Sequence, residues 1–164
     1  MFKVVENDLF TSKEKYIVHQ VNCVTIKASY LAYHMFKRFP HSDVYSFRSH
    51  KDVPGDIIIR GDGEGQRYVI ALLGQYFPGS VRYFNSKKDG IKARQNYFYQ
   101  GLWKIAQIPS LESVAFPHGI GCGVAGGDWD TYYRILQNFA EYLKDTADVY
   151  IYHNGKRFRG CSLR

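Results

Sequence analysis

Between Ala115 and Trp129 the chain places glycine at 119, 121, 123, 126 and 127, after a short apolar run and before a helix-like pattern. Glycine has no Cβ, so it leaves neighbouring N–H groups uncovered and tolerates φ > 0. Beside a helix N-terminus, such a loop can offer main-chain donors to a phosphate. A tight connection with no ligand would use the same residues, and the glycine pattern alone does not separate the two. His118 and Cys122 in this stretch supply a base and a thiol, but a nucleophilic pair needs a third group to orient the base, and the sequence shows none. A second cluster, Gly61-Asp62-Gly63-Glu64-Gly65, mimics a phosphate loop. Asp62 and Glu64 would repel phosphate and a strand follows, so it reads as a hairpin turn. Arg82, Tyr83, Phe84, Lys87 and Lys88 interleave charge with rings, as single-stranded nucleic acid requires. A solvated loop anchored by its aromatics, or a lid over a nearby site, would use the same residues.

The elements that must hold these stretches follow from periodicity. Strands are expected over 2–5, 16–21, 56–60, 68–73, 111–117 and 149–152. Leu31, Ala32, Met35, Phe36 and Phe39 recur at helical spacing until Pro40 ends the helix. A longer helix over 91–108 carries Phe98, Leu102 and Ile105 on one side and leaves Lys92, Arg94 and Lys104 to water. A last helix runs over 129–143, and 44–51 is an irregular connection. Strand-loop-helix units in both halves, with a hairpin between them, imply an α/β domain with a mixed sheet and helices on both faces. Ligands in such sheets bind beyond the carboxyl ends of the strands. The loops after 16–21, 68–73 and 113–117 are therefore expected to meet at one edge.

At 164 residues the chain fits one domain, with a basic tail at 153–164. Hydrophobic residues make up 45%, with 14 Tyr and 11 Phe, which supports a packed core and argues against disorder. No apolar run approaches the roughly 18 residues of a membrane span, and the N-terminus lacks the apolar segment of a signal peptide. Cys23, Cys122 and Cys161 are odd in number and lack CxxC spacing, so neither a disulfide framework nor a zinc site is expected. A reducing, cytoplasmic location fits best, with the nucleus left open. The net charge of +7 favours polyanionic partners, whether nucleic acid or a nucleotide diphosphate.

Taken in order, these residues resemble a macro domain, the ADP-ribose-binding α/β module. The resemblance spans nearly the whole chain. It rests on Asn7-Asp8-Leu9-Phe10, on His19-Gln20-Val21-Asn22-Cys23 before a helix closing with Phe39-Pro40, on Leu73-Gly74-Gln75, and on the run from Ile120 to Trp129. It implies a three-layer fold with a mixed, mostly parallel central sheet. It also implies that Asp8, beside Leu9, accepts the adenine amino group, that Tyr152 packs on adenine, and that Asn154 lines the same pocket. Gly119, Ile120, Gly121, Cys122, Gly123 and Val124 would wrap the diphosphate, with Cys122 a small residue in that loop. Asn22 would reach the distal ribose. For Asp8 a plain turn role, and for Tyr152 a core or surface role, remain open.

The chain departs from the family at its first loop, where Lys27, Ala28, Ser29 and Tyr30 stand in place of a glycine-rich run. Tyr30 narrows the site, closes over the ligand, or marks a binder without activity, while Lys27 offers a charge to phosphate. The glycohydrolase relatives use an attacking lysine and an aspartate in the second glycine loop; here Gln75 and Ala125 stand instead. Hydrolysis would then need a positioned water. Asn22 is the candidate to hold it and Asp128 the nearest carboxylate, though Asp128 is equally placed to cap a helix. The expected activity is binding of ADP-ribose or ADP-ribose 1″-phosphate with hydrolysis, either dephosphorylation or release of ADP-ribose from a modified protein or nucleic acid. The alternatives are a non-catalytic reader, and an RNA or poly(ADP-ribose) binder using 82–94 and 156–164. No cofactor, metal or membrane partner is expected, and a monomer is.

Overall fold

The computed structural model describes residues 1–81 and 86–155. The basic aromatic positions Arg82, Tyr83 and Phe84 and the tail from 156 lie outside the described residues. Six strands, β1 (Phe2–Glu6), β2 (Tyr16–Val21), β3 (Ile57–Arg60), β4 (Tyr68–Leu73), β5 (Glu112–Pro117) and β6 (Ala147–His153), form one sheet in the order β1-β6-β5-β2-β4-β3. All neighbours are parallel except β3, which pairs antiparallel with β4 as the 61–65 turn requires. Three helices complete the domain: α1 (Tyr30–Arg38), α2 (Ile91–Ala106) and α3 (Trp129–Tyr142).

Alternation along the strands sets the layers, since successive side chains leave a strand on opposite faces. Tyr16 and Val18 of β2, Ile70 and Leu72 of β4, and Val114 and Phe116 of β5 share one core with Phe98, Leu102 and Ile105 of α2 and Tyr132, Leu136 and Phe139 of α3. The intervening residues, Ile17, Val21, Val69, Ala71, Leu73 and Ala115, pack with Ala32, Met35 and Phe36 of α1 on the other face. Burying each large apolar side chain contributes about 1.5–3 kcal/mol. These two clusters therefore fix which face each helix covers. Gly101 lets α2 approach closely, because a Cβ there would lie 2.6 Å from Cγ of Leu72.

One expectation for α2 fails. Lys92 and Lys104 are exposed, but Arg94 is only 2% exposed. Helical spacing sets Arg94 one turn before Phe98, on the same buried stripe as Leu102 and Ile105, and its guanidinium is covered by the two loops that it binds.

Candidate functional site

The parallel strands β2, β4, β5 and β6 end on one edge, and beside the loops leaving them lies a cleft with two adjoining parts. The larger part is about 670 Å³ and the smaller about 320 Å³, within the range of small-molecule sites. Tyr30, Leu31 and Pro117 line both and mark the boundary between them.

The glycine-rich loop lines the larger part through Gly119, Ile120, Gly121, Gly123 and Val124. Gly121 has φ +78°, and a Cβ there would lie 2.4 Å from the Tyr132 ring, so only glycine lets the loop cross α3 this closely. Internal bonds shape the loop: Cys122 N donates to Gly119 O at 2.9 Å and Gly127 N to Gly121 O at 3.0 Å. Among the described residues, the N–H groups of Gly121, Gly123 and Val124 meet no protein acceptor. They are the main-chain donors such a loop can present to an anion. Cys122 turns its side chain away from the cleft. Its side chain is 1% exposed, packs into the α2–α3 core and lines neither part of the cleft.

The loop after β2 is pinned from beneath. The Tyr45 hydroxyl accepts from Asn22 N at 2.9 Å and from Asn22 Nδ2 at 3.1 Å, and Asn22 Oδ1 accepts from Val24 N at 3.0 Å and Thr25 N at 2.9 Å. Arg48 donates to Asn22 O and Thr25 O, both at 2.9 Å. Burial pushes the Tyr45 phenol up to about 12, so it stays protonated. Asn22 lines the larger part of the cleft with one Nδ2 hydrogen left over from these bonds. Lys27, Ser29 and Tyr30 line the same part, whereas Ala28 packs against the α1 core and lines neither. Tyr30 has φ +54°, a left-handed conformation that a bulky residue adopts only under constraint.

Gln75 lies between the loops, 8% exposed. Its Oε1 accepts from Gln20 Nε2 at 2.9 Å and its Nε2 donates to Phe77 O at 2.8 Å. Both ends of a group that cannot ionise are committed, so Gln75 supplies no nucleophile. Sequence reasoning missed His118 as a residue lining the cleft. It is 6% exposed, and desolvation, with His153 beside it, holds its imidazole below the usual histidine range. Its ring lies 4.6 Å from that of Trp129 and 4.7 Å from that of His153. The imidazole is neutral at pH 7.

Of the two places the sequence allows Asp128, the structure shows the helix cap. It caps α3, accepting from Thr131 N at 3.1 Å and Thr131 Oγ1 at 2.7 Å, and lines neither part of the cleft. The helix start claims the carboxylate because its first N–H groups have no partner within the helix.

In the smaller part, Asp8 and Leu9 meet Tyr152 and Asn154. Asp8 Oδ1 accepts from Phe10 N at 3.0 Å, and the carboxylate is exposed at the mouth. The Tyr152 hydroxyl donates to the Glu14 carboxylate at 2.8 Å, and burial followed by Glu14 raises its pKa. Its ring is a fixed apolar wall. Asn7, Phe10 and His34 complete this part. His34 lies off the apolar spacing of α1, and the placement of that helix brings it to the cleft.

This fold recurs in solved proteins. The macrodomain of Mycobacterium tuberculosis DarG superposes with a TM-score of 0.72 at 23% identity, over 93% of this chain and 97% of that one. The chain has the macrodomain fold. The macrodomain of Thermus aquaticus DarG gives a TM-score of 0.68 at 21% identity, over 93% and 98% of the two chains. A glycine-to-valine variant of the Oceanobacillus iheyensis macrodomain, solved with ADPR, gives 0.60 at 18%, over 94% and 85%. No family model and no curated protein matches the chain. At these identities it is the macrodomain fold that is shared.

Proposed function

We propose that this chain binds ADP-ribose or a close derivative along the two-part cleft. The carrying observation is that the smaller part, bearing the Asp8 carboxylate and the Tyr152 ring, adjoins a larger part floored by main-chain donors of the glycine loop. The Asp8 carboxylate suits the adenine amino group, and the loop N–H groups suit the diphosphate. Asn22 and Lys27 then face the distal ribose or a group attached to it. The ADPR held by the Oceanobacillus iheyensis variant agrees with this choice of ligand. Calorimetry with ADP-ribose and adenosine tests it: ADP-ribose should bind at least tenfold more tightly, since only it spans both parts, on the order of 1.4 kcal/mol. Equal affinities, or none at millimolar ligand, would defeat the reading.

The same cleft bears on hydrolysis. The larger part is lined by no Asp or Glu among the described residues, and Gln75 is fully bonded. This favours a reader or sequestering module over a hydrolase. The hydrolytic reading would need a water held by the remaining Asn22 Nδ2 hydrogen and deprotonated by neutral His118. Release of phosphate from ADP-ribose 1″-phosphate, or of ADP-ribose from a modified peptide or oligonucleotide, distinguishes enzyme from reader.

A further inference from the structure

The loop after β4 and the glycine-rich loop after β5 adjoin in the wall of the larger cavity, where Gly79 belongs to one and Ala125 to the other. Val81 N donates directly to Ala125 O at 3.3 Å. A further join is made by Arg94 in the first turn of α2. Its Nη1 donates to Gly79 O at 2.7 Å and to Ala125 O at 3.2 Å, so one nitrogen spans both loops. Its Nε and Nη2 fork onto Asp89 at 3.1 and 2.6 Å. Asp89 in turn accepts from Tyr76 N at 2.7 Å and Phe77 N at 3.1 Å, which fixes the departure of the chain from β4. Arg94 and Asp89 are 2% and 0% exposed.

A buried ion pair adds little net stability but is costly to split, and it can hold a geometry that apolar packing would leave loose. The planar fork of arginine can bind a carboxylate and two carbonyls at once; the point charge of lysine cannot. We propose, on the ADP-ribose reading of the cleft, that Arg94 is the positioning residue of its phosphate-binding wall. Backed by Asp89, it sets the spacing of the two loops on which the diphosphate rests, and it does so without touching the ligand.

Amide hydrogen exchange on the full chain reads that spacing with no ligand present. Two variants serve: Arg94→Lys, and Arg94→Met combined with Asp89→Asn, which strands no buried charge. Exchange at 77–81 and 123–127 should quicken together, on the order of tenfold, with β2 and β5 unchanged. Unchanged exchange, a rise in one loop only, or an equal rise in β2 and β5 would overturn the proposal. In calorimetry the double variant should bind ADP-ribose about tenfold more weakly while adenosine is unaffected; equal losses for both ligands would also overturn it. If the wild-type chain binds no ADP-ribose, the ADP-ribose reading falls and the exchange experiment alone decides the role of Arg94.

Discussion

Two residues carry most of what distinguishes this cleft. Asp8 combines two roles: Oδ1 caps the short helical turn at Leu9–Thr11, and the exposed carboxylate faces the smaller part of the cleft. A hydrogen bond to a charged group is worth about 1.5–3 kcal/mol. Asp8→Ala should therefore weaken ADP-ribose and adenosine alike by roughly tenfold or more, with about 1 kcal/mol of stability lost with the cap. Unaltered affinity for both, measured by calorimetry, would remove Asp8 from the adenine site. Tyr30 poses the opposite question. A left-handed conformation costs a side-chain-bearing residue about 1–2 kcal/mol, partly offset by the extra unfolded-state freedom that glycine brings. Tyr30→Gly should thus raise stability by up to about 1 kcal/mol in urea unfolding and widen the cleft where its two parts adjoin. A loss above about 1 kcal/mol would mean that the ring, 58% exposed as it is, packs more firmly than its surface position suggests.

At the scale of elements, β2 is an interior strand, paired with β4 on one side and β5 on the other. It carries His19, fully buried, with neither ring nitrogen bonded among the described residues and the ring edge-on to Phe36. Burial lowers its pKa to about 3. The unfolded chain takes up a proton as pH falls through about 6.5 while the folded chain does not, so stability is lost from there downward, by about 1.4 kcal/mol per pH unit until the folded pKa is reached. Urea unfolding at pH 7 and pH 5 should show this fall, and His19→Leu should flatten it. An equally steep fall in the variant would place the acid sensitivity elsewhere. β-rich apolar runs made β2 and β4 legible in the sequence, since both strands are buried on both faces, and the glycine turn between 56–60 and 68–73 made the hairpin legible. Strand order was not legible: β6 enters between β1 and β5 through pairings that leave no local mark.

For the molecule as a whole, the sequence revealed which loops would gather and concealed how they are held. Glycines at 119–127 and the residues after β2 announced themselves by type, and the parallel sheet brings their loops to one edge. Asp128 and Cys122 lie in the right loop but point elsewhere, one capping α3 and the other filling the core, and side-chain direction is not encoded in spacing. Arg94 was hidden by its type and not by its place: it lies on the buried stripe of α2, but a basic residue in a first turn is ordinarily solvated and only the folded loops supply its acceptors. The pinning of Asn22 by Tyr45 and Arg48 likewise links segments more than twenty residues apart.

The central claim is that the glycine loop is the floor on which a diphosphate rests. Gly123 lines the larger part of the cleft and is not among the glycines with positive φ, so a side chain there is compatible with the backbone and intrudes on the ligand. A calorimetric titration of Gly123→Val with ADP-ribose, beside the wild type, tests the claim most directly. The wild type should bind, and the folded variant, with unfolding unchanged to within about 1 kcal/mol, should lose at least tenfold in affinity. Equal affinity in the two folded proteins would contradict it.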